Sequence, residues 1–444
     1  MQTVVPQPRE ARQSVHRRRN VFVVGMDEYQ RTRLAGLTEA ADCRFHTLLP
    51  MNRLRGVTDL PVADLIDEAE RRLDEFGDDV DAILSFLDFP AIEIATLLQW
   101  RHDLRGPTLE AILRCNHKYW SRRLQAEVAP ECIPPFGCFD PFDDGAYGRL
   151  DVPVPMWIKP LNGWRSHLGF RVASEADFRA GSAAIAAEMD RLSEPLEYFM
   201  ARAEIPDAVA RLGSRVALAE GIIGGAQCTV EGYVFDGEPH AYGVVDSIRE
   251  PNRSTFQRYQ YPSRLPEEVR DRMGDVACRV MSRIGFDNGA FNMEFFYDRA
   301  HDQVWLLEIN PRLSLSHCEL FERVDGLSHQ IVAVDIALGR RPRLTPGQGA
   351  YKAAAKCFIR AHADARVERV PSAEELAAVE HAVPGTTIEL DVEPGMRLSD
   401  LTDQDSYSYE LGAVWIGGED THELNEKYDE VLGRLNLRLS DDAS

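Results

Sequence analysis

Apolar residues recur along this chain with two periods, and the alternation between them lays out its elements. Val21 to Met26 (VFVVGM) is a short unbroken apolar run that predicts a buried strand. Val62 to Phe76 repeats apolar positions at helical spacing, Val80 to Phe86 is a second strand, and Ala91 to Trp100 is a second helix. This β-α-β-α order over residues 20–105 predicts a small parallel α/β unit. Gly25 closes the first strand without a G-x-G-x-x-G pattern, so the spacing gives no support for a dinucleotide site. Gly106 to Gln125 opens on Pro107 and Thr108 and continues as a helix, and Ala183 to Phe199, Pro266 to Ile284 and Thr421 to Leu435 also read as helices. Val244 to Pro266 is polar, aromatic and basic, with Arg249, Arg253 and Arg258. It is too irregular for a simple strand, and long loops of such content are usually functional. From Gly349 onward, short strands with turns at Pro384-Gly385 and Pro394-Gly395 precede the terminal helix. No internal repeat or low-complexity tract is present.

The stretch from Phe291 to His317, FNMEFFYDRAHDQVWLLEINPRLSLSH, carries the most chemistry. Two aromatic and β-branched runs, Phe291 to Tyr297 and Val304 to Ile309, flank a polar segment, Asp298 to Gln303, the pattern of a β-hairpin. With the turn centred near His301, Phe295 faces Leu307, Met293 faces Ile309, and Glu294 faces Glu308. Opposite Cβ atoms lie about 4.5–5.5 Å apart, so uncompensated like charges there destabilise the pair. A divalent cation between them turns that cost into a site. Asn310, two residues past Glu308 and on the same face, adds a neutral oxygen ligand. Glu294, Glu308 and Asn310 form an all-oxygen set, which suits magnesium or manganese rather than zinc. On spacing alone, the alternative is an edge hairpin with solvated acids, because a one-residue slip separates them.

At 444 residues, with 44% hydrophobic and 27% charged residues, the chain has room for two to four globular domains. Its formal charge of -22 argues against nucleic acid or anionic membrane as a partner, while leaving a local basic pocket for nucleotide phosphates. No run approaches the roughly 18 apolar residues of a membrane span. The basic start, up to Arg17, Arg18 and Arg19, meets too short an apolar run for a signal peptide and is expected to be a disordered arm, with contact to a partner as the alternative. Eight cysteines without C-x-x-C or disulfide-framework spacing fit a cytoplasmic protein. Cys318 follows the hairpin closely, where a small buried thiol is its expected role.

NMEFF followed by LLEINPRLSLSH resembles the metal-binding end of the ATP-grasp superfamily, which has an acidic residue on one strand and an E-x-N-x-R run on the next. In that family the two acids and the Asn hold magnesium on the ATP phosphates, and the Arg handles the substrate carboxylate or acyl phosphate. The resemblance puts these roles on Glu294, Glu308, Asn310 and Arg312. The Gly106 to Gln125 helix is similar to the one that leads into the family's nucleotide-binding part, where a lysine approaches the phosphates. Lys118 stands there, with a solvated helix lysine as the alternative. MWIKPLNGWRSHLGFRV (Met156 to Val172) resembles the strand and loop carrying the second phosphate lysine, Lys159. In such a loop glycines let backbone N–H groups approach the phosphates while lysine supplies a point charge. Many relatives have three or more glycines there, whereas this loop has Gly163 and Gly169 with Trp164, Arg165 and His167 interposed. Either Arg165 replaces some backbone contacts or the loop closes differently. Val216 to Gly237 resembles the hinge strand. There Glu220 and the Gly221 backbone would read the adenine edge, Ile222 and Ile223 would pack the ring, and Gln227 falls at the place of a ribose-contacting acid. A bland surface strand is the alternative for that segment.

The resemblance covers most of the chain after residue 20 and is strongest over 156–317. It implies an α/β (α+β) protein of ATP-grasp fold. Its parts would be an arm (1–20), a Rossmann-like unit (21–115), the ATP-grasp domain (116–345, lid about 150–220, metal-binding half about 221–345) and a small C-terminal α+β domain (346–444). The implied activity is that of an ATP- and magnesium-dependent (or manganese-dependent) ligase of the L-amino-acid ligase and biotin carboxylase-like branch. It would activate a carboxylate as an acyl phosphate and join it to an amine, on amino acids or peptides, in the cytoplasm and as a homodimer. The alternatives are carboxylation of the biotin carboxylase kind and ATP binding without turnover. In biotin carboxylases a Q-V-E-H segment supplies a glutamate base, and Ser316 holds that place here, which disfavours carboxylation.

Overall fold

The first apolar run forms the centre of a parallel sheet. In the computed structural model, which describes residues 17–55, 60–162, 168–250, 255–401 and 408–440, β1 (Arg19–Val24) is followed by α1 (Glu28–Ala35) and β2 (Cys43–Leu49). Then come α2 (Val62–Asp74), β3 (Ala82–Ser85) and α3 (Ala91–Arg101), and the strand order is β2-β1-β3, all parallel. α1 and β2 were not legible in the apolar pattern because Arg44, His46 and Thr47 interrupt the strand. The helix expected over Gly106 to Gln125 is two, α4 (Leu109–Asn116) and α5 (Lys118–Val128). His117 leaves the helical region (φ −77°, ψ 94°) and caps α5 by accepting the Trp120 N–H.

A four-stranded sheet follows, built from β4 (Phe136–Phe139), β5 (Met156–Pro160), β6 (Phe170–Val172), α6 (Glu175–Met200), α7 (Asp207–Leu212) and β7 (Ala217–Gly221), in the order β4-β7-β5-β6. α6 begins at Glu175, earlier than the expected Ala183, because Ser174 caps it by accepting the Asp177 N–H. Phe178, Ile185 and Met189 of α6 share one core with Ile158 and Ala219 of the sheet.

The rest of the chain is organised by β8 (Ala226–Phe235), β9 (Glu238–Arg249), β10 (Phe256–Tyr261), α8 (Glu267–Ile284), β11 (Gly289–Asp298), β12 (Gln303–Asn310), α9 (Cys318–Asp325), α10 (Gln330–Ala337), β13 (Ala353–Ala361), β14 (Val367–Arg369), α11 (Ala373–Ala382), β15 (Thr386–Leu390), β16 (Tyr409–Gly418), α12 (Thr421–Arg434) and β17 (Arg438–Leu439). Eight of these strands make one antiparallel sheet, β12-β11-β8-β9-β10-β13-β16-β15, so residues after 346 continue the sheet begun before them. Most of the stretch read as irregular, Val244 to Pro266, is the end of β9 and all of β10, and Arg253 lies outside the described residues.

Alternation sorts the two faces of this sheet. Cys228, Val230, Phe291, Met293 and Phe295 pack with Met273, Ala277 and Val280 of α8, and Ala355, Cys357 and Ile359 pack under α12 with Leu424 and Val431. The opposite face is polar, and its partners line up across the strands as Gln227, Ser247, Tyr259, Lys356 and Trp415.

The β11–β12 hairpin holds its register at Met293–Ile309 and Glu294–Glu308, but Phe295 pairs with Leu306, not Leu307. A β-bulge takes up Leu307. Without it, Val304, Leu306, Glu308 and Asn310 would share one face by strict alternation. The bulge lets Val304, Leu306 and Ile309 all enter the core while Glu308 and Asn310 turn to the polar face. Each apolar side chain so buried contributes about 1.5–3 kcal/mol, against about 1 kcal/mol for a ladder hydrogen bond, so the bulge is favoured.

The loop between β7 and β8 depends on Gly225, whose φ is +126° and whose added Cβ would lie 2.2 Å from the Tyr297 carbonyl oxygen. Gly225→Ala should lower stability by about 1–3 kcal/mol, read as a drop in melting temperature. Gly224→Ala, with nothing within 4 Å of its added Cβ, should change it little, and equal melting of the two variants would contradict the strain.

Candidate active site

Three elements bring positive charge to one place. Lys118 opens α5, Arg122 follows one turn later on the same helix face, and Lys159 lies on β5. Glu220 on β7 meets the latter two: Lys159 Nζ is 2.5 Å from Oε1, and Arg122 Nε donates to Oε2 at 3.0 Å. Burial alone would raise the Glu220 carboxyl, but Lys159 and Arg122 hold it down at about 2. Burial lowers the Lys118 ammonium to about 8, opposed by the charge of Glu308 and reinforced by that of Lys159. The two lysines and Glu308 are therefore electrostatic neighbours, although they come from different elements. Arg122 also donates to the carbonyls of Leu306 (2.9 Å) and Leu307 (2.7 Å), the backbone at the bulge next to Glu308.

The residues expected to meet the nucleotide make the following contacts within the protein. Glu220 is 4% exposed, and both of its carboxylate oxygens are engaged by cations, Lys159 and Arg122. The Gly221 N–H is already donated to the Pro135 carbonyl at 2.8 Å. Ile222 is exposed and Ile223 partly so, on the loop that follows β7. Gln227 lies beside the acidic pair on the polar face. Its Nε2 donates to Glu294 Oε2 (2.9 Å), and its Oε1 accepts from Arg249 Nε (3.0 Å) and Nη2 (2.7 Å). Gly163, Trp164, Arg165 and His167 lie outside the described residues.

Glu294 and Glu308 stand directly opposite each other on the polar face. Burial and the Glu308 charge push the Glu294 carboxyl up to about 7, with Arg312, Gln227 and Asn310 opposing. Asn310 Nδ2 donates to Asn292 Oδ1 at 2.7 Å and to Glu294 Oε1 at 3.4 Å, which leaves Asn310 Oδ1 as an acceptor. Two apposed carboxylates held together, with an amide oxygen beside them, are short of positive charge in a way that a hard divalent cation satisfies. The residues present therefore fit magnesium or manganese.

Arg312 lies just beyond β12 and is held from the first unit: its Nη2 donates to Asp88 Oδ2 at 2.5 Å, from the loop after β3. The side chain is 15% exposed. Three further residues that pattern reading missed lie near this end of the sheet. Glu231 on β8 and His317 are bonded at 2.7 Å, and Lys356 on β13 sits over the Phe358 and Trp415 rings, each 5.1 Å away. A charged residue in the apolar run from Cys228 to Phe235 was the available signal for Glu231, and the helical spacing from Lys118 was the one for Arg122.

Residues 152–319 match the ATP-grasp domain family, and this stretch holds Lys159, Glu220, Glu294, Glu308, Asn310 and Arg312. The chain thus contains an ATP-grasp domain. A stretch of 160 residues is 31% identical to the D-alanine–D-alanine ligase of Synechococcus sp. (strain CC9605), spanning 36% of this chain and 40% of that one. The chain covers well under half the length of such curated relatives. The whole fold is similar to the L-amino acid ligase of Bacillus licheniformis, with a TM-score of 0.70 and 14% identity over 96% of this chain and 100% of that one. It is also similar to the biotin carboxylase of Campylobacter jejuni, with a TM-score of 0.64 and 14% identity over 95% and 92%. Both likenesses establish the fold.

Two outcomes follow. Lys159→Met should raise the apparent ATP constant or abolish turnover while the protein stays folded, because Arg122 still pairs Glu220; unchanged ATP kinetics would remove Lys159 from the site. The second concerns pH. The folded pKa of Glu294 is raised, so its contribution to stability is full below about 4.5 and is lost as pH rises through about 7. Without metal, Glu294→Gln should melt about 2–4 °C above wild type at pH 8, with the gap closing by pH 5. Glu231 and Glu93, also raised to about 7 by burial, leave a residual slope in both proteins. Parallel melting curves would contradict the apposed pair.

Proposed function

We propose that the protein is an ATP-dependent ligase that activates a carboxylate as an acyl phosphate and joins it to an amine, releasing ADP and phosphate. The observation that carries this is the convergence of Lys118 and Lys159, the Glu294–Glu308 pair with Asn310, and Arg312 around one face of the sheet. Lys118 and Lys159 supply charge for phosphate oxygens. Glu294, Glu308 and Asn310 would hold magnesium or manganese, which when bound neutralises phosphate charge. Arg312 presents a planar fork suited to a carboxylate or an acyl phosphate, aimed by Asp88. Phosphoryl transfer is largely positioning and charge neutralisation, which this set is built to provide.

The substrates this reading favours are small carboxylates and amines, amino acids or peptides among them. The names of the D-alanine–D-alanine ligase and L-amino acid ligase relatives support that class. Carboxylation is disfavoured because Ser316 stands where a glutamate base would be needed, and it makes no hydrogen bond among the described residues. Binding without turnover gives no reason for an apposed acidic pair beside two lysines. A cytoplasmic location is supported by eight unpaired cysteines; among the described residues, no helix is long and apolar enough to cross a membrane.

An ADP-release screen over amino acids, dipeptides and small carboxylates, with product masses recorded, tests the reading: at least one pair should give a condensed product, and ADP release independent of any carboxylate would oppose it. Arg312→Lys keeps the charge and the means to pair with Asp88 but loses the fork. It should bind ATP with near wild-type affinity and lose about 10²-fold in turnover. Wild-type turnover in that variant would show that the guanidinium neither orients the carboxylate nor stabilises the acyl phosphate.

A further inference from the structure

A carboxylate fully inside a sheet is costly unless paired, and Glu231 is 0% exposed. Its Oε1 accepts from His317 Nδ1 at 2.7 Å and from the Ser314 N–H at 3.3 Å. With Nδ1 committed to Glu231, His317 is left with Nε2 as a lone-pair nitrogen, which makes no hydrogen bond among the described residues. The His317 side chain keeps 2% of its surface accessible. The other Glu231 oxygen, Oε2, also has no hydrogen bond among the described residues. A buried polar atom without a partner is costly, so the pair keeps two positions open at the cost of stability.

The surroundings decide where a proton can rest. Burial raises the Glu231 carboxyl to about 7, with His329 and Arg312 opposing. Burial lowers the His317 imidazole to about 3, and the charges of Arg312 and Lys356 lower it further. His329, whose Nδ1 is 3.9 Å from Glu231 Oε2, is lowered by burial to about 4. It is held by the Tyr242 hydroxyl at 3.1 Å and the Ser314 carbonyl at 2.9 Å. Tyr259 packs edge-on against the His317 ring, 5.1 Å between centroids, and Cys318 follows in the chain. The imidazole therefore stays neutral near pH 7, and the carboxylate behind it is the group that takes up a proton there. Ser314 and His317 follow Arg312 in the chain, and the Arg312 charge acts on both Glu231 and His317, so the pair lies at the same end of β12 as the fork assigned to the acyl phosphate.

We propose that His317 is the general base for the amine, with Glu231 as the acceptor behind it. This rests on the ligase reading above. His317 Nε2 takes a proton from the substrate ammonium while the Nδ1 proton passes to Glu231, so the ring changes tautomer without becoming charged. The freed nitrogen lone pair attacks the acyl carbon, the bond from that carbon to the phosphate oxygen breaks, and phosphate leaves with the electron pair. The second amine proton leaves with the phosphate.

The test compares two nucleophiles on full-length wild type, His317→Gln and Glu231→Gln, using a carboxylate that the wild type turns over. Hydroxylamine is already unprotonated at neutral pH and needs no base, whereas an amino-acid ammonium does. Both variants should form hydroxamate within about threefold of wild type and lose about 100-fold or more in condensation with an amino acid. Raising the pH toward that of the free amine should recover the variants' rate. Parallel loss with both nucleophiles in folded variants, or no loss with either, overturns the proposal. If one variant fails to fold, as judged by its melting curve, the other decides. If wild type releases ADP with that carboxylate but hydroxylamine traps no hydroxamate from it, the acyl-phosphate ligase reading fails instead, and the two failures are told apart.

Discussion

The buried guanidinium of Arg122 is the interaction that the site depends on. A single side chain, 2% exposed, reaches Glu220 on the small sheet and the Leu306 and Leu307 carbonyls on the large one, from a helix that also begins with Lys118. A buried charge left unpaired is expensive, so these elements hold together or separate together. Glu220 serves the same junction by gathering Lys159 to Arg122. The positive charge of Lys118 and Lys159 is thus tied to the backbone that presents Glu308.

That backbone is bulged, and the bulge reconciles two demands. The core requires Val304, Leu306 and Ile309 on one face, while the site requires Glu308 and Asn310 on the other. Strict alternation cannot meet both. β12 is the edge strand of the sheet, and Arg122 donates to the Leu306 and Leu307 carbonyls at the bulge. On the polar face the apposed acids of β11 and β12 are followed by Gln227 and Glu231 on β8, Arg249 on β9 and Lys356 on β13, with His317 reaching Glu231 from beyond β12. The first unit closes this row by holding Arg312 through Asp88.

Much of this was legible in the residues. The Glu294–Glu308 opposition came from counting across a hairpin, and β1, α2, α3, α8 and α12 came from periodicity, because in each case the pattern is local. What was not legible depends on partners distant in sequence. Counting put Phe295 opposite Leu307, whereas the core takes Leu306 and leaves Leu307 in the bulge. The side-chain partners of Glu220 and Gln227, Lys159 with Arg122 and Glu294 with Arg249, come from other elements and were not legible in the residues. Nothing in the local pattern gives Arg122 or Asp88 its partner; only the fold brings them to Glu220 and Arg312.

The central claim is that a carboxylate oxygen attacks the terminal phosphorus of ATP at this site. Isotope transfer measures that bond directly. With an amino acid labelled by ¹⁸O in its carboxylate, and a second amino acid as the amine, the released phosphate should carry one ¹⁸O for each amide formed. Phosphate that is released with amide but contains only unlabelled oxygen would contradict the account.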